Sequence, residues 1–292
     1  MKNMDRRSFI RQAAAAAGAL ALPWSAVGES LLAAPARSFA ADDRVTLGST
    51  GLVTSRMALG SGTRGYDKSS EQTRMGLENF LKIIRHSYDQ GITFWDTADF
   101  YGSHGSFREA LKQIPREKLV ILTKSFSRDA EGMKKDIERF RMELGVDTID
   151  ILLLHCLTDP GWTGKMQPTM EVISQAREKG AVRTFGVSCH DLGALQAAAA
   201  SPWPEVILAR INHAGVAMDA AVEKVVPVLR QARENGKSVL GMKIVGEGRL
   251  RDQIDQSLKF VLSLGIVDAF TVGFQSVEEL DQMIEKIAAV RL

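Results

Sequence analysis

Residues 94–105, FWDTADFYGSHG, decide the fold. The stretch starts as an apolar run, Phe94-Trp95, and passes into a loop that carries Asp96, Tyr101 and then Gly102, Ser103 and His104. A strand that delivers a carboxylate and a phenol five residues apart reads as one stave of a larger assembly, so the rest of the chain is searched for its companions. Seven more short apolar runs are present: RMALG (56–60), LVILTK (119–124), IDILLLH (149–155), TFGVSC (184–189), VILARIN (206–212), SVLGMK (238–243) and AFTVGF (269–274). Between them lie helically spaced segments such as MKKDIERFRMELG (133–145), MQPTMEVISQAREKG (166–180) and AAVEKVVPVLRQARENG (220–236), which close on Gly145, Gly180 and Gly236 as helices ending in the left-handed conformation do.

Strands alternating with helices imply a parallel sheet, because a parallel crossover needs a helix-length connection. Eight units in about 250 residues match an α/β (β/α)8 TIM barrel. A doubly wound sheet is the alternative; eight regular units without a break favour closure. RVTLGSTGLVTS (44–55) precedes them and reads as a β-hairpin turning at Ser49-Thr50-Gly51. The runs end in Asp96, Lys124, His155, Ser188, Asn212 and Lys243. In a barrel, these C-terminal ends meet at one mouth, where active sites of such folds lie.

Three of these mouth residues, with Tyr101 from the loop after Asp96, make a proton-transfer set. A carbonyl that receives hydride becomes an alkoxide and needs a proton, which Tyr101 can donate. A free phenol titrates near about 10, so a neighbouring Lys124 ammonium is expected to lower it, with Asp96 fixing the lysine and His155 orienting the substrate oxygen. Singly, each residue has a plainer account: a loop cap, a rim aromatic, a solvated lysine, a core histidine. Their joint placement at strand ends favours the site.

Bulk properties narrow the class. The chain has 292 residues, 45% hydrophobic and 25% charged, with net charge +2 and no long run of one sign, so no nucleic-acid partner is expected. Cys156 and Cys189 are the only cysteines, which excludes a disulfide framework. Residues 1–40 read apart from the 41–292 barrel. Arg6 and Arg7 precede Phe9 and an uncharged, alanine-rich core from Ala13 to Leu22, too short for a lasting membrane span. This resembles a twin-arginine export signal, cleaved after Ala34-Pro35-Ala36 or near Ala40. The resemblance implies the twin-arginine machinery as partner, a periplasmic or cell-envelope destination and a cofactor inserted before export. A cytosolic amphipathic helix is the plain alternative.

From the hairpin to the last helix the chain resembles the aldo/keto reductase family, through LGSTGLVTSRMALGSG, FWDTADFYG, VILTKS, LLLH, FGVSCH and DAFTVGFQSVEELDQM. The resemblance implies a catalytic tetrad of Asp96, Tyr101, Lys124 and His155, a small carbonyl or sugar substrate, and an NADP or NAD cofactor laid across the mouth, NADP being the commoner. GSGTRG (60–65) formally matches G-x-G-x-x-G, but no helix starts inside it, so it is not a Rossmann fingerprint; Gly62 and Thr63 are instead expected to let the nicotinamide approach. Ser188 and Asn212 are expected at the carboxamide, although Cys189 stands where the family has Asn. Met242 and Lys243 replace an aromatic stacking residue. Gly246, Gly248 and Arg249 could follow the pyrophosphate, while Gly273, Gln275 and Ser276 precede a helix N-terminus suited to phosphate, with Glu279 and Gln282 on that helix. No Arg or Lys there awaits a 2′-phosphate, which leaves NADP against NAD open.

His155-Cys156 and Cys189-His190 end neighbouring strands. They allow a soft-metal site, a disulfide or two plain thiols. The alternation of side chains along a strand keeps all four from aiming at one ion unless the ends unwind, and no metal is expected. Because an exported reductase has no evident NADPH supply, a retained cofactor serving sugar epimerisation or elimination, or a sensor, stands as the alternative function.

Overall fold

Each of the eight apolar runs becomes a strand of a closed barrel. The computed structural model describes residues 38–292. A hairpin of β1 (Arg44–Thr46) and β2 (Val53–Ser55) leads into β3 (Met57–Gly60), β4 (Phe94–Asp96), β5 (Val120–Ser125), β6 (Ile149–Leu157), β7 (Val182–Cys189), β8 (Val206–Arg210), β9 (Ser238–Met242) and β10 (Ala269–Gly273). The last strand returns to pair in parallel with the first, Phe270 opposite Met57, so the sheet closes in the order β10-β3-β4-β5-β6-β7-β8-β9. That pairing excludes the doubly wound alternative, in which the two would be separate edges.

Period-two alternation sorts the strand residues into two cores. Phe94, Val120, Leu122, Ile151, Leu153, Leu208, Leu240 and Ala269 fill the barrel interior. Trp95, Ile121, Leu152, Leu154, Ile207 and Val239 face the surrounding helices instead. The hairpin plugs the N-terminal end, where Leu47 and Leu52 join the interior cluster. Burying one such side chain contributes roughly 1.5–3 kcal/mol, so the hairpin is a structural cork and does not belong to the site.

Helices obey the local signals. The helix Ala130–Leu144 is capped by Asp129, whose carboxylate accepts from Gly132 N, and it buries Met133, Ile137, Phe140 and Leu144 along one stripe. It ends at Gly145 with φ 69°, and Gly180 and Gly236 likewise adopt positive φ. The first described residues are already part of this packing: Phe39 and Ala41 are buried in the outer core. Of the expected 1–40 signal segment, residues 1–37 lie outside the described residues. Among the described residues no helix is long and apolar enough to cross a membrane.

Candidate active site

The same alternation that fills the barrel lifts three polar residues into its mouth. Asp96 continues the interior column of Phe94, Lys124 that of Val120 and Leu122, and His155 that of Ile151 and Leu153. Each strand thus exchanges an apolar for a polar residue at its C-terminal end. Lys124, 1% exposed, is bound by the Asp96 carboxylate and donates to Thr97 O at 2.8 Å. Burial drags this ammonium below its ordinary range while Asp96 pulls the other way. Desolvating an ion costs several kcal/mol, so neither partner is tolerable here without the other.

Tyr101 is placed by a single 3-10 turn, Asp99–Tyr101, which Gly102 ends at φ 68°. Three buried hydroxyls tie this loop down: Ser103 Oγ lies 2.7 Å from Ser61 Oγ and 2.6 Å from Thr97 Oγ1, and Ser61 Oγ donates to Asp96 O at 3.0 Å. Asp99 is held by Lys68 and by Arg139 at 2.5 Å. The result sets Tyr101 Oη 3.5 Å from His155 Nε2, with Lys124 Nζ 5.0 Å from the centre of the phenol ring. The expected lowering of the phenol's pKa by Lys124 does not occur in this structure. Burial raises it, the Asp96 carboxylate and Cys156 adding to the effect, because the ammonium stands over the ring and is already neutralised by Asp96. Tyr101 therefore holds its proton. His155 moves the opposite way: burial first, then Lys124, His190 and Arg128, push it well below its usual value and keep the imidazole neutral.

At the end of β6 the strand does unwind. Its register with β7 shifts between Leu154 and Leu157, and Cys156 takes φ 58°, a conformation that costs roughly 1–3 kcal/mol in a non-glycine residue. This puts His155 and Cys156, neighbours in sequence, both on the cleft wall. Cys156 N donates to Ser188 Oγ at 2.9 Å, and its Sγ lies 3.1 Å from His190 Nδ1. Cys189 points the other way into the helix layer, and both thiols are free. The four Cys and His side chains thus do not meet at one point. Among the described residues the one group with three metal-type ligand atoms in reach is Asp99, His104 and Glu143. Arg139 already pairs with both of those carboxylates, and both His104 nitrogens have partners, Glu143 at 2.7 Å and Thr123 at 2.8 Å.

A cleft of about 1190 Å³ opens over these residues. All four tetrad positions line it, with Gly62, Thr63, Met242, Lys243, Gly273, Gln275, Glu279 and Gln282. Ser188, Asn212 and Ser276 do not. Ser188 serves the bulge. Asn212 is wholly buried, its Nδ2 donating to Val216 O and Lys243 O and its Oδ1 accepting from Ala214 N and Val216 N, which leaves its amide no capacity for a nicotinamide. Ser276 caps the helix Val277–Ala289 by accepting from Glu279 N. The glycines of GSGTRG have a task inside the protein as well: a Cβ on Gly62 or Gly65 would stand less than 3.0 Å from the Tyr101 ring, so they make room for the phenol. Gly273 is required by Thr63 and Gln72, which crowd its Cα from within the protein.

Several residues that line the cleft or lie behind its wall carried no sequence signal. Buried Gln72 clips the first and last mouth loops together, accepting from Thr63 N at 3.0 Å and donating to Phe274 O at 3.2 Å. Glu71 accepts from Gln275 Nε2 at 2.8 Å and pairs with Arg64 at 3.0 Å. Glu247 takes the Lys243 ammonium, and Arg251 makes no ion pair among the described residues. A glutamine or glutamate in a loop is ordinary on any surface. Only the closure of β10 on β3 brings residues 71–72 against 273–279.

The cleft fits a dinucleotide in size and lining: it exceeds the usual 300–1,000 Å³ of a small-ligand site, and it is walled by polar Thr63, Gln275 and Gln282 together with apolar Met242. Fold and site together define a (β/α)8 barrel protein with a Tyr-Lys-Asp-His constellation at its C-terminal mouth. The chain belongs to the aldo/keto reductase family, whose model matches residues 57–290. It is similar to aldo-keto reductase 1 of Glycine max, 28% identical over 159 residues, which covers 49% of this chain and 44% of that protein. A versiconal hemiacetal acetate reductase of Aspergillus parasiticus is 44% identical over 87 residues, 27% of this chain and 24% of that one. The chain therefore spans less than half the length of either of these curated relatives. Among solved structures, an aldo-keto reductase of Pseudomonas aeruginosa superposes with TM-score 0.71 at 22% identity, over 86% of this chain and 96% of that one, a likeness of fold.

Proposed function

We propose that this protein is an NAD(P)-linked oxidoreductase that interconverts a carbonyl, on an aldehyde, ketone or sugar, and its alcohol, with Tyr101 as the proton donor and acceptor. The observation that carries the reading is the pair of Tyr101 Oη and His155 Nε2, 3.5 Å apart in the cleft and standing over the buried Lys124–Asp96 pair. An oxygen within reach of both receives a proton from a phenol held in its acid form and a hydrogen bond from a neutral imidazole. Asp96 and Lys124 fix the floor beneath the ring and keep water from it. When bound, the dinucleotide supplies or takes up the hydride.

Thr63, Met242, Thr271 and Gln282 would border the nicotinamide end and its extension, and Arg249 and Arg251 the diphosphate. Of the two nucleotides, charge favours NAD over the family's commoner NADP. Where the last helix begins, Glu279 already accepts from Gln275 N at 2.7 Å and Glu71 stands beside it, so an added phosphate would meet two carboxylates. The basic and alanine-rich segment 1–40 supports export through the twin-arginine pathway to the periplasm or cell envelope, with the cofactor loaded beforehand and held.

The test has two readings. Purified without added nucleotide and then denatured, the full chain should release stoichiometric NAD or NADP by mass spectrometry; an empty protein argues against the retained cofactor alone. Aldehyde-dependent oxidation of NADH or NADPH should then fall by about 10²–10⁴-fold in Tyr101→Phe, with nucleotide affinity preserved. A Tyr101→Phe protein with full turnover removes the assignment.

A further inference from the structure

His190 follows β7 and shares the cleft wall with His155, their rings 6.4 Å apart and almost perpendicular, at 89°. One edge of its ring is fully engaged. Arg210 donates to Nδ1, and a guanidinium cannot accept, so Nδ1 bears the lone pair and the ring proton sits on Nε2. Arg210 is held in turn by the buried Asp219, 3.0 Å away, and Cys156 Sγ closes on the same nitrogen at 3.1 Å. Nε2 has no partner among the described residues and, unlike His155 Nδ1, is not sealed off from the cleft.

We infer that the His190 Nε2–H group binds a second oxygen of the substrate, and that the site thereby selects carbonyl compounds with an oxygen on the carbon next to the reacting one, the 2-hydroxy aldehydes and ketones, sugars included. The inference rests on the carbonyl oxidoreductase reading above. Its reach follows from the geometry. The reacting oxygen lies at Tyr101 Oη and His155 Nε2, and each N–H extends about 2.9 Å to its acceptor, so donors on two rings this close serve oxygens on neighbouring carbons. The other side of His155 is apolar: Phe126 packs on it at 4.3 Å between ring centres, and Phe100 on Phe126 at 4.7 Å. A substrate is offered aromatic side chains there and the His190 N–H on the neighbouring wall. Because Arg210 is tied to Asp219, that donor suits a neutral hydroxyl or carbonyl more than a carboxylate. Burial, with Arg210, Lys243 and Lys124 nearby, holds the imidazole's pKa down to about 3, so one tautomer persists through the neutral range.

The experiment compares kcat/KM for 2-hydroxypropanal and for propanal, with NADH and NADPH, in the full chain and in two variants. The wild type should favour the hydroxyaldehyde by about tenfold, the worth of one partly exposed hydrogen bond. In His190→Phe the ratio should fall toward one through a rise in KM for the hydroxyaldehyde. His190→Gln, which offers an amide N–H near the Nε2 position, should restore most of it. Equal kcat/KM for the two aldehydes in the wild type, or an unchanged ratio in His190→Phe, overturns the inference and leaves the oxidoreductase reading intact. A His190→Phe defect that falls on nucleotide affinity also overturns it, placing the histidine on the cofactor. Absence of turnover of either aldehyde by the wild type strikes the oxidoreductase reading itself, and the inference falls with it.

Discussion

Gly62 lies against the ring of Tyr101 so closely that a Cβ there would stand less than 3.0 Å from the phenol carbons. The first mouth loop thus shapes the seat of Tyr101, the proposed proton donor. Gly62→Ala should push the ring off its seat and cut turnover by at least about 10²-fold, since a misplacement of about 1 Å has that effect on a positioned group. The ring is at the mouth, away from both cores, so thermal unfolding should shift by only a few degrees. Steady-state rates and a melting curve check this; a Gly62→Ala enzyme with wild-type turnover would show that the phenol's position is not critical.

The Asp96–Lys124 pair sets a double-mutant cycle. Removing either partner strands a buried charge, so Asp96→Leu or Lys124→Met should each destabilise by about 3–5 kcal/mol. The double variant should recover much of that loss, because no charge is left to desolvate, while remaining without turnover. Urea unfolding of the four proteins measures the coupling, and additive losses would contradict a mutually dependent pair.

His190 should leave a pH signature on stability. Its folded pKa is depressed to about 3, chiefly by burial, against about 6.5 in the unfolded chain. Below pH 6.5 the unfolded state therefore binds a proton that the native state refuses, and stability falls as pH drops toward 3. In His190→Phe this loss is gone. The variant should gain on the wild type by up to about 1.4 kcal/mol per pH unit between pH 6 and 4. Urea midpoints across that window give the result, and a flat difference would mean that the native ring is protonated after all.

Nucleotide choice follows from charge. With Glu279 and Glu71 at the start of the last helix, NADH should bind more tightly than NADPH at low salt. Glu279→Gln should narrow the gap by up to about tenfold, and raising the salt should shrink it in the wild type, as screening requires. Fluorescence titration of both nucleotides decides it; tighter NADPH binding by the wild type would place the 2′-phosphate away from these carboxylates.

The barrel was legible because closure leaves a mark in one dimension. The alternation within eight apolar runs encodes the inside and the outside of a strand, and Asp96, Lys124 and His155 share the inward phase with the residues beneath them. Three expected cofactor contacts were not delivered to the cleft. Ser188 and Asn212 end apolar runs just as Asp96, Lys124 and His155 do, but the bulge in β6 claims one and the loop after β8 claims the other. The same bulge turns Cys156 into the mouth, against the alternation that would have hidden it.

What the sequence alone determined is periodic and local: strand count and phase, helix ends at Gly145, Gly180 and Gly236, the hairpin, and the order in which Asp96, Tyr101, Lys124 and His155 reach the mouth. What only the tertiary structure decided depends on residues far apart in the chain that meet once the barrel is shut. Gln72 clips Thr63 to Phe274, Glu71 reaches Gln275, and Arg210 fixes the proton of His190. Hydrogen bonds of this kind have no period and no fixed spacing, so nothing in a one-dimensional reading could mark them; they are set by where packing of the apolar columns leaves each polar side chain.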